Sequence, residues 1–396
     1  MKVYFDARMI DHPGIGRYIR CLLSLIGEAG SVDLYLLGNK KKIKKLLGIE
    51  KNVIDFDYPI YSIQEQISFL KLKSIIKDDI LHVPHYNIPV LAKFSLIATV
   101  HDLIHIIYPE GASGRLAPVY MRFMMNRILK SAKAVICVSQ ATKDELSKRF
   151  LPPRCASSFM CSHRRGVAVI YEGVDDVFKK ITDSAYLQSV KEKYNLPDKF
   201  LLYVGSIRRH KNIKTLLDAF SNLKQRVPEA HLVMVGRLSQ DIDIKKDGVL
   251  YLGEVESDKE LAVIYNLASC LFNLSLYEGF GLTILEAQSC GLPVVCSDIP
   301  VHREIGHDGI LPVNPSYIDQ IYENLYNVLS NNDIRKALIA KGLENTKRFN
   351  WQDTADRTVE LYRKIYNEGG DSSRLASGDA RRRKNPQCFL QNIPPS

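Results

Sequence analysis

Short apolar runs alternate with amphipathic stretches along most of the chain. Strand-sized runs lie near Val3–Asp6, Val32–Leu37, Ile80–Val83, Leu96–Val100 and Ala134–Val138. Between and after them, apolar residues recur at helical spacing, predicting helices near Gly16–Glu28, Ile63–Lys77, Leu116–Lys130 and Ala141–Arg149. The pattern then repeats. Strands are expected near Phe200–Val204, His231–Val235, Val249–Leu252, Cys270–Asn273 and Pro293–Cys296, with helices near Ile213–Gln225, Asp258–Leu267, Leu282–Cys290 and Ile318–Leu329. Such alternation is the signature of βαβ units, so the expected class is α/β, with two doubly wound parallel sheets in tandem.

Two polar stretches interrupt the pattern. Leu151–Arg165, with Pro152, Pro153, serines and basic residues, reads as a loop insertion in the first domain; Glu172–Asp183 places the domain boundary near residue 180. The expected organisation is a first domain over 1–180, a second over 181–350, a helix over 351–367 packing across both, and a disordered basic tail over 368–396. A length of 396 residues suits two cores better than one.

Composition narrows the class further. A hydrophobic fraction of 46% with 25% charged residues describes an ordinary globular protein, and no apolar run approaches the length of a membrane-spanning helix. The amino terminus enters a strand pattern carrying Asp6 and Arg8 where a signal peptide needs an apolar region, so a cytoplasmic location is expected. The cysteines are scattered, and Cys137 and Cys296 sit in apolar runs as reduced core thiols do. Cys155, Cys161 and His163 are close together but lack a fourth ligand and any paired-cysteine spacing, so no metal site is expected there.

The net charge of +10 is concentrated rather than spread over a recognition helix. Lys40, Lys41, Lys42, Lys44 and Lys45 form one cluster and Arg381, Arg382, Arg383 and Lys384 another, so no nucleic-acid partner is expected. The first cluster suits peripheral contact with an anionic membrane at the inner face of the cell, if the acceptor is lipid-linked.

In open parallel sheets, ligands bind beyond the carboxyl ends of the strands. Four such places carry unusual residues. The first strand is followed by Gly14-Ile15-Gly16-Arg17-Tyr18, a turn entering a helix. Another strand ends on His101-Asp102. A third runs into Gly205-Ser206-Ile207-Arg208-Arg209-His210-Lys211-Asn212, whose cations at a helix start oppose the helix dipole and so point to an anionic ligand. The fourth is Tyr277-Glu278-Gly279-Phe280-Gly281-Leu282, followed by Glu286 inside the next helix. A loop carboxylate, a glycine-rich helix start and a second carboxylate suit a polyol bearing phosphate, such as a sugar nucleotide.

With these motifs, and with Gly291-Leu-Pro, Tyr171-Glu-Gly-Val-Asp and the Trp351 helix, the chain from Met1 to about Tyr366 resembles the retaining glycosyltransferases of family 4. The wording of Gly14-Ile-Gly-Arg-Tyr and Val100-His-Asp-Leu-Ile is similar to that of bacterial mannosyltransferases of surface polysaccharide assembly. The resemblance implies a GT-B fold: two facing Rossmann-like domains with a carboxyl-terminal crossover helix. It also implies transfer of a hexose, with mannose from GDP-mannose the expected donor, to a glycan or lipid-linked glycan.

By position, Glu286 would hold the ribose hydroxyls and Glu278 those of the transferred sugar. Gly279 and the backbone of Phe280, Gly281 and Leu282 would meet sugar and diphosphate. Lys211 would neutralise the leaving group, and His101 would approach the sugar from the first domain. Gly14 and Gly16 would complete the phosphate cradle, and Val255 would lie near the base. Ser206 stands where many members carry arginine, leaving the diphosphate either to Arg208 or Arg209 together with Lys211, or to Lys211 alone. Asp241-Ile-Asp243 reads as a solvated turn, so no metal and no cofactor is expected, the nucleotide sugar being a substrate. A sugar-nucleotide 2-epimerase and a non-catalytic binding module are the alternative readings.

Overall fold

A computed structural model describes residues 1–12, 14–109, 114, 116–151, 166–238 and 242–376. The first sheet is built from β1 (Lys2–Asp6), β2 (Asp33–Gly38), β3 (Val53–Asp55), β4 (Ile80–Val83), β5 (Ser95–Val100), β6 (Ala134–Cys137) and β7 (Gly166–Val169), in the order β3-β2-β1-β4-β5-β6-β7. All its pairings are parallel, in registers such as Phe5 with Leu36 and Phe5 with His82. The second contains β8 (Phe200–Val204), β9 (His231–Val235), β10 (Val249–Gly253), β11 (Cys270–Asn273), β12 (Val294–Ser297) and β13 (Ile310–Val313), ordered β10-β9-β8-β11-β12-β13 and also parallel. In each sheet the strand order reverses once, at β1/β4 and at β8/β11. Connections on either side of a reversal leave to opposite faces of the sheet, which opens a crevice there.

Helices cover both faces of both sheets. In the first domain these are α1 (Ile15–Ala29), α2 (Lys40–Leu47), α3 (Ile63–Ile76), α4 (Ile104–Ile107), α5 (Ala117–Ser131) and α6 (Gln140–Phe150). In the second they are α7 (Ser184–Lys193), α8 (Ile213–Arg226), α9 (Asp258–Leu267), α10 (Leu282–Ser289), α11 (Pro300–Gly306), α12 (Ile318–Ser330) and α13 (Asn332–Thr346). Local sequence sets many boundaries: Asn39, Ser62, Ser139, Asp183, Ser257 and Asn331 each accept a backbone N–H at a helix start. Three strands, β3, β7 and β13, add to those expected from the sequence, each only three or four residues long.

The last helix, α14 (Trp351–Ala376), returns to the first domain. Trp351, Ala355, Val359, Tyr362 and Ile365 join the core formed by β1 and α1. It runs past 367, where the sequence reading placed its end, because extending an established helix needs no new nucleus. The basic cluster Arg381–Lys384 lies outside the described residues, as do Cys155, Cys161, His163 and Asp241. Asp243 is exposed, and its carboxylate accepts the Lys245 N–H at 2.9 Å. Cys21, Cys137, Cys270, Cys290 and Cys296 are free thiols, four of them buried.

One buried histidine fastens α14 to the first sheet. His82 of β4 has Nδ1 2.5 Å from the Tyr362 hydroxyl and Nε2 2.8 Å from Thr99 Oγ1. Burial, with a smaller contribution from His101, pushes its pKa down from 6.5 to about 3. Below 6.5 the unfolded chain binds a proton that the folded chain refuses, so this contribution to stability is complete above 6.5 and falls as pH drops toward 3. The melting temperature is expected to fall between about pH 7 and 4, and His82→Asn should flatten that slope while lowering the plateau. A slope unchanged by the substitution would contradict this account.

Candidate active site

The reversal point of the second sheet brings two distant loops together. Residues 205–212 leave β8 on one side and residues 274–281 leave β11 on the other, and the Leu276 N–H donates to the His210 carbonyl at 2.8 Å. The Lys211 ammonium thereby forms an ion pair with the Glu278 carboxylate. Burial raises the Glu278 pKa, but Lys211, His302 and hydrogen bonds from Lys211 and Ser275 outweigh it, so the group lies below the ordinary carboxylate value. Beside this pair α10 begins on Gly281 without a side-chain cap, so its first N–H groups face the crevice. Glu286 follows inside α10, almost fully buried, and accepts the Tyr265 hydroxyl at 2.7 Å.

The first domain closes over this surface. Arg17, in the first turn of α1, reaches across to pair with Glu286 and, at 2.6 Å, with Asp258. Buried beside these two carboxylates, its guanidinium has its pKa raised. Backbone packs against backbone at Gly279, where an added Cβ would lie 2.0 Å from the His101 carbonyl oxygen. The Gly279 carbonyl accepts hydroxyls of Ser139 at 2.7 Å and Thr142 at 3.0 Å. Nearby, the Tyr277 hydroxyl accepts the Leu103 N–H at 2.8 Å. Glu304 caps α6 from the second domain, accepting the Gln140 and Ala141 N–H groups at 2.6 and 2.8 Å. A carboxylate at a helix amino end gains from both hydrogen bonds and dipole.

His101 is held by both ring nitrogens: Nδ1 lies 3.0 Å from Glu172 Oε1 and Nε2 3.1 Å from the Pro84 carbonyl. Tyr18 packs edge-on against the ring at 4.9 Å. What His101 presents to Gly279 is therefore its backbone carbonyl, with the imidazole fixed behind it. Phe280 is buried among Val138, Leu285 and Phe349, leaving only its backbone for a ligand.

Among the other residues singled out from sequence, Gly16 lies where a Cβ would meet the Ile10 carbonyl at 2.6 Å, and its N–H already donates to His12 at 2.8 Å. Packing thus accounts for that glycine without a phosphate. Gly14 caps α1 with no neighbour within 4 Å of a Cβ position. The Ser206 carbonyl accepts the buried Tyr203 hydroxyl at 3.0 Å, while Arg208 is exposed. Val255 is half-buried beyond β10.

Asp258 and Tyr265 lie outside the motifs singled out from sequence, whereas Arg17, Glu172 and Tyr277 stand within them without an assigned role. Arg17 did carry a signal, a cation in a helix's first turn against the dipole, the same one that exposed Lys211. Among the described residues, no group of three or more His, Cys, Asp or Glu side chains is arranged to hold a metal ion.

Two family models together span most of the chain. Residues 14–176 match Glycosyltransferase Family 4, and residues 187–345 match Glycosyl transferases group 1. The chain is similar to the O-antigen chain mannosyltransferase B of Escherichia coli, at 27% identity over 92% of this chain and 100% of that protein. It is also similar to the O-antigen chain mannosyltransferase RfbU of Salmonella typhimurium, at 31% identity over 58% of this chain and 59% of that one. In fold it is similar to Alr3699/HepE from Anabaena, solved with UDP-glucose, with a TM-score of 0.72 and 16% identity over 92% of this chain and 100% of the other. WaaG, a glycosyltransferase of lipopolysaccharide biosynthesis, superposes with a TM-score of 0.65 and 15% identity over 91% and 99%. The chain belongs to glycosyltransferase family 4 and has the two-domain GT-B fold.

Proposed function

We propose that this glycosyltransferase moves mannose from GDP-mannose, with retained anomeric configuration and without a metal, to a hydroxyl of a free or lipid-linked glycan. The observation that carries the reading is the grouping of Lys211, Glu278, Glu286 and the open amino end of α10 at one crevice. Its parts match a nucleotide sugar in sequence: a carboxylate for vicinal ribose hydroxyls, cations and helix N–H groups for the diphosphate, and a second carboxylate for sugar hydroxyls. The choice of mannose is supported by the similarity to two O-antigen mannosyltransferases.

In this scheme Arg17 replaces the cation that Ser206 does not supply. In the free protein it neutralises Glu286 and Asp258; when the donor's ribose takes Glu286, the guanidinium is released to the diphosphate beside it. Glu278, held by Lys211, is a weak nucleophile, so the departing phosphate takes the acceptor's proton as the acceptor attacks from the same face. His101 is assigned a positioning role, since both its nitrogens are engaged.

Donor choice is tested by thermal shift. GDP and GDP-mannose should raise the melting temperature more than UDP and UDP-glucose, binding at a hundredfold excess over Kd adding about 2.7 kcal/mol. Products then separate the classes: free GDP and an α-mannoside indicate retaining transfer. A rearranged sugar on intact nucleotide would establish the epimerase instead, and saturable binding without product the binding module.

A further inference from the structure

We propose that the outer faces of α3 and α5, with the β4–β5 loop between them, form the surface by which this protein rests on an anionic phospholipid bilayer. Both helices pack one side on the first sheet, through Phe69, Leu72 and Ile76 and through Met121, Met125 and Ile128. Their other sides remain apolar. Ile63 is 80% exposed and Phe123 51% exposed, and Leu116, just before α5, and Val119 are 77% and 65% exposed. Ile67, Leu70 and Ile75 continue the α3 face, and Leu91 lies exposed in the loop. A helix that is apolar on both sides buries one in the protein and leaves the other for something else.

The surface is continuous and firmly mounted. From α3 the Gln66 side chain donates to the Ile88 carbonyl at 3.2 Å and accepts the Val90 N–H at 2.8 Å. From α5, Arg127 donates to the Val90 carbonyl at 3.2 Å. The Tyr61 and Tyr120 rings meet at 5.7 Å where the two helices begin.

Charge selects the occupant. The only acidic side chain on either helix is Glu65, which is buried with Arg8 and Asn87. The exposed charges on these faces, Lys71, Arg122 and Lys130, are all positive, and Lys77 and Lys93 beside them are exposed as well. Asp78 and Asp79 follow the carboxyl end of α3, at the end remote from the strand termini that line the cleft. Apolar side chains among cations of one sign match the acyl boundary and headgroups of an anionic leaflet. A symmetric contact with a second copy would set these cations against their own equivalents.

This surface differs from the lysine cluster on α2. Ile43 anchors α2 on the sheet face covered by α1 and α14, opposite that covered by α3 and α5. Lys42 is paired with Asp11 at 2.7 Å and Lys44 with Glu50 at 2.9 Å. The amino ends of α3 and α5 lie at the cleft end of the first domain, so a lipid-anchored acceptor would enter directly from the bilayer. That last point rests on the transferase reading; the docking surface does not.

Sedimentation of the full chain with vesicles tests the proposal, using phosphatidylcholine alone and with 30% phosphatidylglycerol. The protein should bind the anionic vesicles, and Ile63→Ser/Phe123→Ser should weaken binding about tenfold or more. Lys71→Glu/Arg122→Glu/Lys130→Glu should remove the preference for anionic lipid, at about fivefold per residue. Lys40→Glu/Lys41→Glu/Lys45→Glu should leave binding unchanged. Thermal shift by GDP-mannose should be the same in every variant, which reports folding and donor binding separately. Absence of vesicle binding, binding unaffected by the serine substitutions, or loss only in the α2 variant would overturn the proposal. So would a dimer in gel filtration that the serine substitutions convert to monomer, since a second copy would then occupy the face. Vesicle binding as expected without any nucleotide response would overturn the donor reading and leave the surface standing.

Discussion

Lys211→Ala is expected to lower kcat by about a hundredfold to a thousandfold, with a smaller rise in KM for the donor. The ammonium is nearly buried at the reversal point of the second sheet, where its charge acts with little screening from water. Its value is greatest as the diphosphate gains charge on leaving, so the loss should appear mainly in turnover. The substitution also removes the strongest of the charges that lower the Glu278 pKa, so that pKa should rise. That predicts a second readout: the acid limb of the kcat profile should move to higher pH in the variant. Arg17→Ala provides the contrast. Its cation should contribute to binding of the donor before chemistry, so its loss should raise the donor KM about tenfold to a hundredfold, the value of a hydrogen-bonded charge. Equal effects of both substitutions on kcat and KM would contradict the division of roles.

Gly279→Ala carries the other large expectation, and it is steric rather than electrostatic. A methyl group here would lie 2.0 Å from the His101 carbonyl oxygen, well inside van der Waals contact, and 3.0 Å from Asp102 Cβ. Neither neighbour is the free end of a flexible chain: the first is backbone at the end of β5. Relief requires the domains to part by about an ångström, a displacement that costs about a hundredfold in rate when it misaligns reacting groups. The Ser139 and Thr142 hydrogen bonds to the Gly279 carbonyl would be stretched as well. Affinity for GDP alone should change little, because Glu286, Lys211 and the start of α10 lie on the second domain and the long Arg17 side chain can follow so small a shift. Steady-state rates lowered about a hundredfold with unaltered GDP binding would bear this out; full activity would show that the domains need not approach this closely in catalysis.

Much of the fold was legible because βαβ architecture writes itself into local patterns. Strands buried on both faces, such as Ala134–Cys137, must be apolar almost throughout, and helices such as α1 must be apolar on one side. The short strands were not legible, since three or four residues at a sheet edge carry too little pattern to separate strand from loop. The candidate site was legible wherever chemistry contradicted local stability. Lysine at a helix start and glutamate in a glycine-rich turn are unfavourable without a ligand. Arg17 carries the same signal, but within a motif whose glycines are sufficient by themselves to explain a tight strand-to-helix turn.

Gly16 shows the opposite case. Its sequence context suggested a phosphate cradle, but the Ile10 carbonyl fills the space a side chain would need. Nothing in the order of residues distinguishes a glycine required by a ligand from one required by its own backbone. That distinction depends on what the chain folds against.

By itself the sequence determined the class of fold, the tandem arrangement and the residue types at the strand ends, because these follow from burial periodicity and from helix-terminus electrostatics within a few residues. The tertiary structure alone decided which of them meet. Arg17 and Glu286 are far apart in the chain and come together only because two reversed sheets face one another. The His101 ring is tied back by Glu172 and Pro84, and its carbonyl meets Gly279, because close packing leaves no other arrangement there. The apolar faces of α3 and α5 likewise became a surface only once the sheet had taken the other side of each helix.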